Sequence, residues 1–195
     1  FNFSENQINQ IDISNNPNLI DLVCQYNNLT SLDLSNQVAL SLLVCGYNNL
    51  YDLDLSSNVH LTSLWCENND LVGLDIANNP LLNLVICHNN DLLSLDLRNG
   101  SFPNDSLFVV HENNPYLFCI NVDDVFYASN YPWVGDSHHY YDTDCNGSTL
   151  INEQSTNKNI IRTTDMIGRE TKENKNEPLF YIYDDGTVEK RIVIE

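Results

Sequence analysis

Cysteines recur at a fixed interval in the first half of this 195-residue chain. Each lies in a similar short segment, such as LVCGYNN, and successive cysteines keep a constant 21-residue spacing. Evenly spaced thiols can hold a metal ion, form disulfide bonds, or fill buried positions as small apolar side chains. The four residues are Cys24, Cys45, Cys66 and Cys87. The elements that position them decide which of these roles applies.

A second group of chemically capable side chains lies in the segment GDSHHYYDTD, residues 135–144. Its two adjacent histidines and three aspartates are ligand types that divalent metal ions accept. Neighbouring side chains of an extended segment point in opposite directions, so the sequence favours a solvated loop over a metal site. The chain also lacks the G-x-S-x-G, H-E-x-x-H, P-loop and dinucleotide-binding motifs. We therefore expect a protein that is not an enzyme and needs no cofactor.

Two series of half-units share one 21-residue period and define the architecture. The cysteine half-unit follows LxxLxCxxN, as at residues 19–27, and the LDL half-unit follows LxxLDLxxN, as at residues 50–58. The alternating LxC and LDL triplets predict short strands, and the asparagines and glycines after them predict turns. Stacking would pair each strand in parallel with its copies in adjacent coils. The predicted fold is a β-rich solenoid of short parallel strands with a C-terminal cap and a terminal β-hairpin.

Two polar columns accompany the repeat. The asparagine that ends each cysteine half-unit is expected to point inward, where its amide can satisfy backbone groups at the bend; this column is Asn27, Asn48, Asn69 and Asn90. The aspartate of each LDL half-unit points outward, and these carboxylates lie about 5 Å apart. A solvated face softened by serine hydroxyls is the favoured interpretation, and calcium bridging is the alternative. The aspartates are Asp12, Asp33, Asp54, Asp75 and Asp96.

The nested pattern resembles the irregular class of leucine-rich repeats found in bacterial surface proteins. The matching region runs from about Ile8 to Val122, and its spacing is constant through Leu95. An insertion then interrupts the spacing, so we expect a cap to begin there. The resemblance implies a repeat domain that is secreted or displayed on a cell surface.

A stacked repeat also discriminates between the roles of the four cysteines. A zinc site needs ligands that converge on one centre, whereas one cysteine per coil produces a line. Adjacent cysteines would lie about 5 Å apart, within disulfide reach, but parallel side chains in register do not present the required dihedral angle without strain. We interpret these cysteines as small buried apolar residues, with disulfides as the main alternative and a metal site as the weaker one.

Cys119 and Cys145 fall outside the 21-residue spacing and flank a non-repetitive segment. The open end of a repeat core needs a cover, and in secreted proteins a disulfide commonly holds it. Repeats of the resembled class often end in such a cysteine-bounded cap, which implies a Cys119–Cys145 disulfide. We expect a short helix in DDVFYA with Asp123 as its N-cap, and Trp133 with neighbouring tyrosines over the terminal coil.

Charge is distributed unevenly along the chain. Residues 1–157 contain one basic residue, Arg98, against 19 acidic ones, and the other seven Lys and Arg residues follow. An acidic body is repelled by nucleic-acid phosphates and by anionic lipids, and no run of 18 apolar residues offers a transmembrane helix. We expect neither nucleic-acid binding nor membrane insertion. The change in composition predicts a linker at residues 146–159.

The C-terminal region carries a second resemblance. The segments IGRE, residues 167–170, and FYIYDDGTVEKRIVIE, residues 180–195, resemble the sorting segment of proteins exported by the type IX secretion system. Alternating apolar residues around Asp185-Gly186 also predict a β-hairpin. The resemblance implies that the type IX machinery is a partner and that the protein is secreted or held on the outer-membrane surface of a Gram-negative bacterium. The alternative is an ordinary closing hairpin docked on the cap.

These boundaries divide the chain into four predicted parts. They are a leucine-rich repeat solenoid at 1–118, a disulfide-bounded cap at 119–145, a linker at 146–159 and a sorting segment at 160–195.

The two predicted sheets differ in their outward residues. The LDL half-units present polar residues that are nearly the same in every coil, whereas the cysteine half-units present large apolar residues that vary from coil to coil. Contiguous apolar surface marks contact regions, so the cysteine side is the predicted binding face. The predicted ligand-binding residues are Val23, Tyr26, Leu42, Val44, Tyr47, Trp65, Glu67, Leu84, Ile86 and His88.

Three functions are compatible with these observations. The leading one is a secreted or surface module that binds a protein or a glycan. The rim of that partner would carry basic groups that match Glu67 and Asp21. The alternative is a structural stalk or accessory fragment of a larger adhesin, which self-associates through the same face or has that face covered by the hairpin. The third is an enzyme that uses residues 135–144, which a regular coil without a deep pocket disfavours.

Overall fold

The computed structural model divides the chain into two compact units, Phe1–Gly147 and Ser148–Glu195. The described residues are 1–100, 107–145, 160–164, 178–183 and 188–192. Within these parts of the chain, no helix has the length and apolar character that a membrane crossing requires.

The first unit is a solenoid of about six coils whose strands form two parallel sheets. Its strands are β1 Asp21–Val23, β2 Leu42–Val44, β3 Ser63–Trp65, β4 Gly73–Asp75, β5 Leu84–Ile86, β6 Ser94–Asp96, β7 Phe108–Val110, β8 Cys119–Asn121 and β9 Tyr140–Asp142. One sheet has the order β1-β2-β3-β5-β7, and the other has the order β4-β6-β8-β9. In the first sheet, Leu22 pairs with Leu43 and Leu43 with Leu64, so each strand lies beside its copy in the next coil. The predicted solenoid is confirmed.

Columns of leucine and cysteine fill the space between the sheets. The middle residue of each strand points inward, and Leu22, Leu43 and Leu64 are fully buried. Burying one such side chain contributes about 2 kcal/mol, and a coil can bury it only against its neighbours. The four cysteines of the 21-residue series are free thiols with no exposed surface, as predicted.

The asparagine column satisfies the backbone at each bend, as predicted. Asn48 Oδ1 accepts from the Leu29 N–H at 3.0 Å. Its Nδ2 donates to the carbonyls of Cys24 and Cys45 at 3.1 and 3.0 Å, and thereby ties two coils together. The equivalent residues repeat this pattern and are at most 7% exposed. A second amide column, at Gln37, Asn58 and Asn79, serves the turns after the LDL triplets. The triplets at 11–13, 32–34 and 53–55 were predicted as strands but are not strands in the structure.

The insertion after Leu95 does not end the repeat geometry. β7 pairs with β5 and β8 with β6, and β9 continues the second sheet beyond β8. Val109, Ile120 and Val122 are buried and extend the apolar columns. Because β7 pairs Phe108 with Leu84, the step between these coils is longer than the 21-residue spacing of the earlier ones, and the sequence pattern fades here.

A short cap covers the last coil. Cys119 and Cys145 form a disulfide, as predicted. The helix α1, Val125–Asn130, begins after Asp124, whose Oδ1 accepts from the Tyr127 N–H. The prediction of Asp123 as N-cap is therefore wrong, because Asp123 instead accepts a hydrogen bond from the backbone N–H of Gly100. As predicted, Trp133 and Tyr141 pack against the end of the core.

The second unit contains a three-stranded antiparallel sheet. Its strands are β10 Ile160–Thr164, β11 Pro178–Tyr183 and β12 Val188–Ile192, and β11 is the central one. The pairing of β11 with β12 agrees with the predicted hairpin, and β10 is an addition to it. The predicted linker at 146–159, the IGRE segment at 167–170 and the hairpin turn at Asp185-Gly186 lie outside the described residues.

Candidate functional site

The candidate site comprises the outward side of the five-stranded sheet and the turns that follow its strands. Val23, Val44 and Trp65 are equivalent residues of β1, β2 and β3, paired in register. Trp65 is 37% exposed and is the most accessible of the three. The predicted binding residues that are half-buried are Val23, Leu42, Val44, Leu84 and His88.

Two predicted binding residues are buried instead of exposed. Ile86 is 9% exposed because it lies in register between Trp65 and Val110, and large side chains about 4.8 Å apart shield one another. Glu67 is 6% exposed because its carboxylate lies over Gly46 of the preceding coil. A Cβ atom at Gly46 would be 2.7 Å from the carboxyl carbon of Glu67. Ile86 as part of an exposed stripe, and Glu67 as part of an exposed acidic rim, are wrong predictions.

Tyr26 and Tyr47 form an exposed aromatic pair on the turns after β1 and β2. Their rings are stacked, with centroids 4.2 Å apart, and the side chains are 44% and 39% exposed. Both residues have a φ of 56°, a left-handed conformation that costs most L-residues about 1–2 kcal/mol. Later coils have the same conformation but carry Asn68, Asn89 and Asn113, a residue type that tolerates it better. The molecule therefore holds two tyrosines where asparagine is the better fit.

Polar atoms without partners gather beside this pair. Glu67 Oε2, Asn68 Nδ2 and His88 Nδ1 are buried and have no hydrogen-bond partner among the described residues. Glu67 and His88 are equivalent residues of adjacent coils, and Asn89 Nδ2 fixes the Asn68 amide by donating to its Oδ1 at 3.1 Å. Burial raises the pKa of Glu67. A carboxylate, an amide donor and an imidazole nitrogen thus share one edge of the sheet with unused hydrogen-bonding capacity.

The cap holds a cluster of polar rings at the end of the cysteine column. His111 follows Cys87 in that column and is fully buried. Its Nδ1 lies 2.9 Å from His139 Nδ1, and its Nε2 lies 3.2 Å from the Tyr141 hydroxyl. A Cβ atom at Gly135 would lie 2.0 Å from His111 Cε1, so this position must be glycine. Burial lowers the pKa of His111 to about 4, which keeps the ring neutral at pH 7.

Three residues of segment 135–144 could hold a metal ion. Asp136, His138 and His139 offer ligand atoms within 4.8 Å of one another. A turn closed by the His139 N–H and the Asp136 carbonyl brings them together, so the prediction that these side chains point apart is wrong. Asp136 Oδ2 already accepts from the Asn114 N–H at 3.2 Å. A tetrahedral ion would need a fourth ligand from outside this group.

The outward aspartate column has a structural role. Each of its five members accepts a hydrogen bond from the backbone N–H two residues further on, at 2.8–3.1 Å. These are Asx turns, which stabilise the bend after each LDL triplet, whether the triplet is a strand, as in β4 and β6, or not. Hydrogen bonds from Ser35 and Ser56 lower the pKa values of Asp33 and Asp54. Calcium bridging along the column stays a prediction.

Sequence reasoning missed an apolar series on the other side of the coil. Tyr51, Val72 and Leu93 precede successive LDL triplets at 21-residue spacing. Tyr51 is 62% exposed and Leu93 is 60% exposed, and Phe118 in the next coil is 51% exposed. The 21-residue spacing of these apolar residues was a signal available in the sequence. The polar residues of the LDL half-units next to them led to the prediction that this whole side is polar.

The chain matches no family model and no curated protein. Among solved structures it is similar to the functional domain of InlJ from Listeria monocytogenes, a leucine-rich repeat structure described as including a cysteine ladder. The sequences are 26% identical and the TM-score is 0.55. The similarity covers 73% of this chain and 34% of that chain, so the chain spans about a third of its neighbour. This likeness supports a leucine-rich repeat solenoid fold.

Proposed function

We propose that the chain is a secreted or cell-surface module that binds a protein partner through the outward side of the five-stranded sheet. The observation that carries this proposal is the Tyr26–Tyr47 pair. Both residues adopt a left-handed conformation and expose stacked rings, and Trp65 is exposed on the third strand of the same sheet. Backbone strain that persists at an exposed position is typical of binding sites. Tyrosine and tryptophan are also the residue types that dominate protein interfaces.

Binders selected from a peptide display library against the full chain test this proposal. The Tyr26→Asn/Tyr47→Asn variant takes the residue type of the later coils and should weaken the selected binders by tenfold or more. Tyr51→Asn is the matched control, because Tyr51 is exposed on the other side of the coil. Binders that tolerate the double variant but not Tyr51→Asn would place the binding face elsewhere. Binding to a glycan array but to no peptide would replace the protein partner with a carbohydrate.

Self-association through the same face is the competing function. A structural stalk would use Tyr26, Tyr47 and Trp65 to contact a second copy rather than a foreign protein. Sedimentation equilibrium of the full chain separates the two functions. A monomer at micromolar concentration supports the binding module, and a dimer that the double variant dissociates supports the stalk.

The four-part division of the chain and its export route belong to the same proposal. We propose that residues 160–195 are a sorting segment for the type IX secretion machinery, preceded by a linker at 146–159, the cap at 119–145 and the solenoid at 1–118. The resemblance of IGRE and of residues 180–195 to such segments supports this. Fusion of residues 148–195 to a reporter in a bacterium with type IX secretion should give surface or extracellular reporter. Retention of the reporter in the periplasm would reject the export role.

A further inference from the structure

We propose that the sheet edge around Glu67 binds the guanidinium group of an arginine side chain presented by the partner. This inference rests on the proposed function, since it names the chemistry of the partner at the same face. It concerns one cluster, the arginine site, which comprises Glu67, Asn68 and His88 with the Tyr26–Tyr47 pair beside them.

The buried carboxylate is the first reason. Glu67 is 6% exposed, yet its Oε2 has no hydrogen-bond partner among the described residues. Buried polar groups are almost always hydrogen-bonded, and an unpaired buried charge is costly. The outward aspartates, by contrast, are already bonded to backbone N–H groups. Glu67 Oε2 is therefore a carboxylate oxygen of the sheet face that lacks a hydrogen-bond donor among the described residues.

The surroundings of Glu67 provide further recognition. The carboxylate occupies the space that a side chain at Gly46 would fill, and the chain continues from Gly46 directly into Tyr47. The pKa of Tyr26 is raised, first by its neighbour Tyr47, then by burial, and further by the negative charges of Glu67 and Glu5, so the carboxylate acts electrostatically on the aromatic pair. An approaching cation would meet a carboxylate and the faces or edges of two aromatic rings. Cations are attracted to such rings.

A guanidinium group fits this arrangement better than an ammonium group. It is planar, can donate two parallel hydrogen bonds to one carboxylate, and stacks on aromatic rings. The unpartnered Asn68 Nδ2 can donate to a carbonyl of the same peptide, and the unpartnered His88 Nδ1 can accept one of its N–H groups. Residues 1–157 contain 19 acidic residues and one basic residue, so the surrounding field also favours a cationic partner.

The test uses the full chain and three peptides that differ in one side chain. They are acetyl-Gly-Gly-Xaa-Gly-Gly-amide with arginine, with citrulline, which is nearly isosteric but uncharged, and with lysine. Binding is followed by NMR through the amide signals of residues 46–47, 67–68 and 88 and the indole signal of Trp65. The arginine peptide should shift these signals in a saturable way and bind at least tenfold more tightly than the citrulline and lysine peptides. Because this comparison needs no variant, it does not depend on how any substitution folds.

Glu67→Gln then tests the residue itself. It should reduce affinity for the arginine peptide to that of the citrulline peptide, whereas Glu112→Gln should leave affinity unchanged. Glu112 is the matched control because it occupies the equivalent position two coils further on. Equal affinity for arginine and citrulline, equal affinity for arginine and lysine, or an unaffected Glu67→Gln variant would overturn the proposal. So would shifts spread along the outward aspartate column, which would indicate general charge attraction.

The result also separates this inference from the proposed function. If the arginine peptide does not bind while Tyr26→Asn/Tyr47→Asn still abolishes the binding of selected peptides, the proposed binding face is supported and the arginine site is rejected. If the arginine peptide binds at Glu67 while the double variant does not change the affinity of selected peptides, the arginine site is supported and the tyrosine-based binding face is rejected.

Discussion

Among single residues, Tyr26 and Tyr47 separate stability from function most directly. Each occupies a left-handed position at a cost of about 1–2 kcal/mol, and together they gain one stacked pair worth about 0.5–1.5 kcal/mol. The strain exceeds the stacking energy, so Tyr26→Asn/Tyr47→Asn should raise the free energy of unfolding by about 1 kcal/mol. Urea denaturation measures this, and Tyr51→Asn should give no such gain. A less stable double variant would mean that stacking outweighs strain and would remove the basis of the proposed function.

Glu67 gives a residue-scale prediction with a defined pH dependence. Burial raises its pKa above the ordinary value of 4.5, so the folded chain holds this proton more tightly than the unfolded chain does. Its contribution to stability is complete below pH 4.5 and is lost as pH rises through the raised pKa. Glu67→Gln should therefore be more stable than the wild type at pH 7, and the difference should shrink toward pH 4. A variant that is equally destabilised at both pH values would show that the carboxylate is satisfied in the fold.

Sequence reasoning reached the residues of the site but not their exposure. Outward alternation correctly placed Trp65 at the surface, and Tyr26 and Tyr47, predicted as residues that flank the apolar stripe, are exposed as well. It could not show that Ile86 is shielded by neighbours on both sides, because shielding depends on the sizes of the residues that adjacent coils place beside it. Nor could it show that Glu67 folds over Gly46, because that depends on a glycine in the adjacent coil.

At the scale of elements, the asparagine column joins the coils to one another. Asn48→Ala would leave the Leu29 N–H and the carbonyls of Cys24 and Cys45 without the amide that bonds them. Each unsatisfied buried group costs about 1–3 kcal/mol, so we expect a loss of about 3 kcal/mol or more in the free energy of unfolding. Asn49→Ala is the control, because Asn49 is exposed at the next position of the same turn. Similar small losses for both variants would contradict a stabilising role for the buried amide.

The cysteine column gives a second prediction at this scale. Cys24, Cys45, Cys66 and Cys87 are buried free thiols, and burial raises the pKa values of Cys24 and Cys87 to about 12. Reactive thiolate is therefore scarce in the folded chain. Thiol titration should detect almost no groups in the native protein, four after denaturation without reductant, and six after reduction. Four reactive thiols in the folded state, or none after denaturation, would contradict the buried column or its reduced state.

For the molecule as a whole, the 21-residue spacing predicted strands of the regular coils. It did not predict contacts between residues that are far apart in the sequence. The 21-residue series correctly predicted the strands of the cysteine half-units and the LDL strands β4 and β6, but the LDL triplets at 11–13, 32–34 and 53–55 were also predicted as strands and are not. After Leu95 the spacing changes, and β7 to β9 are recognised only by their pairing with earlier strands. The His111–His139 contact joins two residues that are distant in the sequence, with no repeat to indicate it. β10 is rich in β-branched Ile and Thr, which favour a strand, but the prediction for this region considered only the hairpin that follows and missed that signal.

The cooperative unfolding of the first unit is the prediction at the scale of the whole molecule. Phe1–Gly147 is a compact unit, and Phe3, Trp133 and Tyr141 pack against its core. A chain of residues 1–147 should therefore unfold in one cooperative thermal transition, with the strand-rich circular dichroism expected of a solenoid. A chain of residues 1–118 lacks β8, β9 and the disulfide, which exposes the end of the apolar columns, and it should aggregate or melt roughly 10 °C lower or more. Losing about 3 kcal/mol from the disulfide alone shifts the melting temperature of a domain this size by an amount of that order. Equal melting temperatures for the two chains would show that the solenoid is complete without its cap.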